Sequence, residues 1–363
     1  MLALDFLIFI VSCLVLAKSG TMIVEALINL SRLLRIKEFI LAFVLVAFST
    51  SLPDLSVGIT SALQGHPEIY LGALIGANIL DISLVVGISV VLAKGIQLKK
   101  RGEILKNSLW LLPVAALPVI LFIIGGQLSR IDGVILLAVF CVYVYNLYRE
   151  GRHLDDAVIR KDDLKTLKEE EREERKEEKK DKKKDKKEER KLNHLANKNF
   201  IEKTKSIFFF MKDWLFLGVA VTLLVLSANY AVKYAQAISL DLGFPELLIG
   251  MFVLSFGTTL PELTFEITAV LKNRRGLLLA DPMGSIIINS TLVIGIVSLI
   301  HPIKAPFALF LVGAVFMLAL IFVFTLFVAT EEKLSIKEGI ALILLYLIFL
   351  FIEISLKSAQ FGG

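Results

Sequence analysis

Ser49-Thr50-Ser51-Leu52-Pro53-Asp54-Leu55 and Gly257-Thr258-Thr259-Leu260-Pro261-Glu262-Leu263 are two copies of one pattern, offset by 208 positions. The same offset carries Gly76 onto Gly284, Asp81 onto Asn289, Gly87 onto Gly295 and Asp5 onto Asp213. Further on, Leu128-Ser129-Arg130-Ile131-Asp132-Gly133 aligns with Leu334-Ser335-Ile336-Lys337-Glu338-Gly339 at an offset of 206. The chain is therefore read as an internal duplication, and self-similarity at a fixed spacing dictates architecture before any single residue does.

Composition decides what kind of duplicated unit this is. Hydrophobic residues fill 56% of the 363 positions, against about 45–50% apolar in soluble chains. The net charge of +5 is not spread evenly: 22 basic and 17 acidic residues lie between Arg149 and Lys212, leaving 18 of each elsewhere. The positive excess thus marks one segment and no nucleic-acid surface. This distribution excludes a soluble enzyme, a nucleic-acid binder and a secreted disulfide scaffold. Cys13 and Cys141 both fall in apolar runs and are expected to be buried thiols.

A membrane helix needs about 20 mostly apolar residues. On that scale there are ten spans, at 2–31, 38–63, 68–93, 104–125, 130–148, 213–238, 245–271, 277–300, 305–329 and 337–356. The first is read as a mature span, because its early charge is Asp5 and no small-x-small cleavage site follows. Five spans per half is an odd number, so the second half must sit upside down relative to the first. The expected fold is all-α and polytopic, with ten transmembrane helices forming two inverted five-helix repeats. Residues 1–149 form the first repeat, 150–212 a charged loop, and 213–363 the second repeat. With the N-terminus outside, the inner loops hold 13 Lys and Arg against 5 elsewhere, the long loop set aside. Both termini are then outside and the loop 150–212 is cytoplasmic. Its mixed-charge stretch 155–192 can support a solvated helix but builds no core. A linker is the simplest reading, with a regulatory or anionic-lipid-binding role as the alternative.

Inverted repeats with interrupted helices mark secondary transporters, whose site lies near the midplane between the repeats. Pro53 and Pro261 lack an N–H, which frees the carbonyls of Ser49 and Gly257. Such carbonyls are tolerated in a membrane only against protein or a water-filled cavity. Thr50, Ser51, Thr258 and Thr259 add hydroxyls, and Asp54 and Glu262 add carboxylates. Oxygen-only ligands suit hard cations such as calcium, sodium or magnesium. In the third and eighth spans, Gly72–Asp81 parallels Ala280–Asn289, and Asp81 sits deep in an apolar run where an ionisable group is functional by default. Glu266 is either a ligand or proton carrier or a lining of the water path, and Asp281 stands at the same alternative. Glu25 and Lys233 share the 208 offset and are expected to form an ion pair. His66 and His301 fall at span ends and read as solvated.

These motifs and the two-halves plan resemble the cation/calcium exchanger superfamily. Thr50-Ser51-Leu52-Pro53-Asp54 and Thr258-Thr259-Leu260-Pro261-Glu262 look like its sodium/calcium branch, whereas the proton/calcium branch typically has Gly-Asn in place of the paired hydroxyl residues. The resemblance implies alternating access, with sodium and calcium competing for one cluster and the first and sixth spans sliding across the other eight. Carried over residue by residue, that cluster is Thr50, Ser51, Asp54, Asp81, Thr258, Thr259, Glu262, Ser285 and Asn289, with Ser49, Gly257, Glu266 and Asp281 around it. The chain departs from the family pattern at four places. Asp54 stands where Glu is usual, Ala77 where Ser is expected, and Asp281 where Asn is common. Asp81 and Asn289 exchange the Asn and Asp of the archaeal type.

The leading expectation is a calcium antiporter driven by sodium, binding calcium and sodium ions within a lipid bilayer. It needs no cofactor, nucleic acid or obligatory protein partner, and a cell-membrane location is the default. Coupling to protons or potassium is the alternative. A passive cation channel would favour symmetric ligand rings over an inverted pair. An intramembrane aspartyl protease is disfavoured because both buried Asp residues lie in one half.

Overall fold

A computed structural model describes residues 2–34, 50–97, 101–146, 149, 189–271, 279–330 and 333–361. Ser49 and most of the charged segment lie outside the described residues. The described residues are helical, apart from short turns, one two-stranded ribbon and an isolated bridge. In order come α1 (Leu2–Leu34), α2 (Leu52–Gln64), α3 (Pro67–Leu92), β1 (Ile96–Gln97), α4 (Arg101–Gly125) and α5 (130–146). Then follow α6 (Glu189–Leu242), α7 (246–271), α8 (280–300), α9 (Phe307–Thr330), β2 (Lys333–Leu334) and α10 (Ile336–Phe361). Among the described residues seven helices, α1, α3, α4, α6, α7, α8 and α9, are long and apolar enough to cross a membrane. This is an integral membrane protein. In α3, α7 and α8 most of the spanning residues are buried, whereas in α1, α4, α6 and α9 most are not. The central three carry most of the polar residues singled out above.

Small residues let these central helices touch. A Cβ added to Gly72 of α3 would land on the Leu247 carbonyl, and one added to Gly250 of α7 would land on the Ile69 carbonyl. In a bilayer, where no hydrophobic force drives helices together, such close backbone packing holds them. Equivalent contacts recur. Gly87 (α3) and Gly339 (α10) face each other, an added Cβ lying 2.8 Å and 3.0 Å from the other's carbonyl. Gly133 (α5) and Gly295 (α8) do the same at 2.7 Å and 3.1 Å. These two pairs exchange under the sequence offsets of 208 and 206. Helices α5 and α10 start with matching capping boxes: Ser129 N–H donates to Asp132 Oδ2 at 2.7 Å, and Ser335 N–H to Glu338 Oε2 at 2.6 Å. Just before them, Leu128 bridges Ile303 and Leu334 pairs with Ile96.

Several expectations need correcting. Cys13 is buried, but Cys141 is exposed on the outward face of α5, and both are free; an apolar run in a membrane helix serves lipid as readily as core. His66 is not simply solvated: its Nδ1 lies 3.0 Å from Glu246 Oε1, and its Nε2 2.7 Å from the Gln236 amide. Helix α6 begins at Glu189, well before the span edge at 213, because no Gly or Pro interrupts 189–217. Lys233 is exposed near the Tyr234 ring, and the side chain of Glu25, its expected partner, lies outside the described residues.

Candidate cation site

The proline motifs act differently in the two halves. In the first, the helix breaks: Ser51 is the N-cap of α2, with Pro53 in its opening turn, and the Ser51 carbonyl accepts the Leu55 N–H at 2.9 Å. In the second, Pro261 is carried inside a helical run, Ser255–Leu271, that follows a π-helical turn at Gly250–Leu254. The third and eighth spans are interrupted by π turns at Asp81–Val85 and Asn289–Val293, at equivalent places in the two halves. A π turn spoils the regular ladder and is frequent at functional sites.

These irregular turns converge. Asn289 Nδ2 donates to Asp54 Oδ2 at 2.8 Å and lies 3.4 Å from Ser285 Oγ. Thr50 Oγ1 donates to Asp281 Oδ1 at 2.9 Å. Glu262 interacts electrostatically with Asp81, Asp54 and Asp281. Asp81 has Ser285 beside it, Asp54 has Thr258, and Glu266 has Ser89 and the carboxylate of Asp281. Thr258 Oγ1 also donates to the Ser255 carbonyl at 3.2 Å. Asp54, Asp81, Glu262, Glu266 and Asp281 are all at most 2% exposed. Ser51 and Thr259 are buried on the same turns, and Gly257 packs against Cys13 of α1.

The decisive feature is what these oxygens lack. Among the described residues nothing donates a hydrogen bond to Asp54 Oδ1, both oxygens of Asp81, Glu262 and Glu266, Asp281 Oδ2 or Asn289 Oδ1. Among the described residues no Lys, Arg or His pairs with any of the five acids. A buried carboxylate without a partner is costly, so such a cluster calls for cations or protons. With oxygen donors alone, the chemistry is that of sodium, calcium or magnesium.

The structure thus brings Asp54, Asp81, Glu262, Ser285 and Asn289 of both halves together. Asp54 is hydrogen-bonded to Asn289, and their repeat equivalents Glu262 and Asp81 interact electrostatically. Sequence reasoning missed Asn78, whose amide donates to Ser290 Oγ at 3.1 Å and to Met317 Sδ at 3.4 Å. It also missed Ser89 and the buried hydroxyl of Tyr70, near Asp54. Asn78 lies within the Gly76-Ala77-Asn78 run and Ser290 follows Asn289, so motif neighbourhood could have found both; Tyr70 carried no signal. A separate group, His66, Glu68 and Glu246, lies at the far end of α2 and α7.

A helical membrane protein with a buried, oxygen-only acidic centre is of the ion-transporter class. Residues 4–149 and 212–355 match the family described as sodium/calcium exchanger protein, and the chain belongs to that family. It is 25% identical over 351 residues to the sodium/calcium exchanger MaX1 of Methanosarcina acetivorans, covering 96% of this chain and 98% of that protein. It is 23% identical over 298 residues to the inner membrane protein YrbG of Escherichia coli, covering 81% and 79% respectively. Among solved structures it is similar to the sodium-calcium exchanger NCX_Mj soaked with sodium and strontium, with a TM-score of 0.57 and 22% identity across 96% of this chain and 98% of that one. At that identity the likeness is one of fold.

Proposed function

We propose that this protein is a secondary active antiporter that exchanges calcium for sodium by alternating access at the buried cluster. The observation that carries the reading is the set of unpartnered carboxylate oxygens on α2, α3, α7 and α8, contributed by both halves of a duplicated chain. Thr50, Ser51, Asp54, Asp81, Thr258, Thr259, Glu262, Ser285 and Asn289 form the central ligand set, with the backbone of Gly257 beside it; Ser49, its repeat equivalent, lies outside the described residues. Calcium and sodium are cargo here, not resident cofactors. One site that accepts either ion, but not both together, couples their movements.

The same reading includes ten spans in two inverted repeats, 1–149 and 213–363, around a cytoplasmic loop at 150–212, with both termini outside. The exchanging glycine pairs, the matching capping boxes and the equivalent π turns support the inversion. Helices α1 and α6 pack more extensively on each other than on any other element, which supports their moving as one unit against the rest.

Glu266 and Asp281 favour a second reading, in which protons or potassium take part in coupling, because both acids are buried beside the central set. The experiment that tests the proposal is calcium uptake into proteoliposomes under imposed sodium, potassium or pH gradients. An outward-directed sodium gradient at clamped pH should drive uptake. Uptake driven by a pH gradient alone would overturn the sodium assignment, and flux without any gradient-coupled accumulation would point to a channel.

A further inference from the structure

The contacts arrange the acidic centre in two layers. Thr50 lies beside Asp281, Asp54 beside Asn289, and Gly58 beside Val293 and Val297, so α2 and α8 run side by side in the same direction. Gly76 lies beside Ser255, Asp81 beside Glu262, and Ser89 beside Glu266, so α3 and α7 do the same. The middle layer is Asp54, Asn289, Asp81 and Glu262. A second layer, Thr50, Asp281, Glu266 and Ser89, is displaced toward the end of the molecule marked by the β1–β2 ribbon. On α8 the step from Asn289 to Asp281 is about 12 Å at 1.5 Å per residue.

The duplication supplies an internal control. The middle layer is symmetric: Asp54 and Glu262 exchange, as do Asp81 and Asn289. The second layer has no counterpart. Under the 208 offset Glu266 maps onto Gly58, Ser89 onto Val297 and Asp281 onto Ala73, while Thr50 maps onto Thr258. The counterpart region is packed shut. A Cβ added to Gly58 would come within 2.9 Å of both Val293 Cγ1 and Val297 Cγ2, and Ala73 is fully buried. The contact between Glu266 and Ser89 at one end is therefore a Gly58 and Val297 contact at the other. Only one end has gained two carboxylates and a hydroxyl in place of a glycine, an alanine and a valine.

Both added acids are fully buried, both Glu266 oxygens and Asp281 Oδ2 accept no hydrogen bond, and Ser89 Oγ is likewise unpartnered. Resting on the exchanger reading above, we propose that Glu266, Asp281 and Ser89, joined to the central set through Thr50, form an additional alkali-cation site, one layer from the central cluster and present at one end only. The donor set favours a monovalent ion. Asp281 Oδ1 is already taken by the Thr50 hydroxyl, which leaves Glu266 Oε1 and Oε2, Asp281 Oδ2 and Ser89 Oγ unpartnered, fewer oxygens than the six to eight that calcium takes. Sodium and potassium share this chemistry, and the test separates them.

The purified full-length protein is equilibrated in calcium-free buffer with radioactive sodium, or with a potassium-mimicking rubidium tracer, choline replacing the other cations. The parent is compared with Glu266→Gln/Asp281→Asn and with Glu262→Gln. The double variant should bind about one alkali ion fewer per chain at saturation, while Glu262→Gln keeps that ion and loses binding at the centre. The tracer that shows the difference names the ion. If the double variant is not monodisperse, the single variants Glu266→Gln and Asp281→Asn should each weaken one binding step roughly tenfold or more. Equal stoichiometry and equal affinity in the parent and these variants would overturn the site, as expected if the two acids simply hold protons. Failure of the exchanger reading is a separate result: the parent would show no sodium-driven calcium uptake, yet the bound-ion difference would stand.

Discussion

Replacing Asn289 with Asp tests the cluster at its hydrogen bond to Asp54. Asn289 Nδ2 donates to Asp54 Oδ2 at 2.8 Å. Asn289→Asp removes a hydrogen bond to a charged acceptor, a loss of about 1.5–3 kcal/mol. It also sets carboxylate against carboxylate. At an effective dielectric constant near 20 the repulsion is about 6 kcal/mol at 2.8 Å. Relaxation to about 4 Å lowers it to about 4 kcal/mol. Either figure is a large share of the 5–15 kcal/mol that typically separates folded from unfolded domains. The variant should therefore melt well below the parent in calcium- and sodium-free buffer. Calcium reverses the sign of the change, because the added carboxylate becomes a ligand, and ligand bound to the folded state adds stability. The assay is thermal unfolding of detergent-solubilised protein across a calcium titration, with choline as the only other cation. Asn289→Asp should gain more from calcium than the parent does. A variant that melts with the parent in ion-free buffer, and gains no more from calcium, refutes both the Asn289–Asp54 contact and the ion-binding role of the cluster.

Asp81→Asn should strongly reduce sodium-driven calcium uptake by removing a central carboxylate, and adding Asn289→Asp should restore part of it, since those positions exchange under the repeat; uptake at equal protein incorporation is the measure, and parent-like transport by Asp81→Asn would remove that residue from the site. Gly72→Ala and Gly250→Ala should each destabilise the protein by about 1–3 kcal/mol or more through overpacking, because each new methyl meets a facing backbone carbonyl; unchanged melting would mean that α3 and α7 do not pack this closely. Replacing 155–188 with a short flexible linker, leaving α6 whole, should preserve gradient-driven uptake; its complete loss in correctly inserted protein would give the charged segment a role in transport.

Much of the fold was legible because membrane spans depend on length and apolarity, which a sequence displays directly. The duplication then brought Asp54, Glu262, Asp81 and Asn289 forward as one set. What the sequence withheld was the local response of each helix to the same motif. Pro53 opens a new helix after Ser51, whereas Pro261 rides inside one, since a proline's effect depends on what its neighbours offer the freed carbonyl. The pairing of Asp54 with Asn289 was equally hidden, because the offset relates residues by equivalence and says nothing of which ones touch. Cys141 shows the converse limit: hydropathy cannot distinguish a side chain facing lipid from one facing protein.

Helix α6 carries a mechanical consequence. Its 54 residues extend for about 80 Å, against a hydrocarbon core of about 30 Å. The portion preceding Asp213 alone spans about 36 Å, so α6 acts as a lever that magnifies a tilt of its span at its N-terminal tip. A tilt of about 10° at the fulcrum would sweep the tip through roughly 6 Å. A spectroscopic label near Glu189 would therefore report a rotation of α6 too small to resolve at the ion site itself, with the probe placed well away from every ligand.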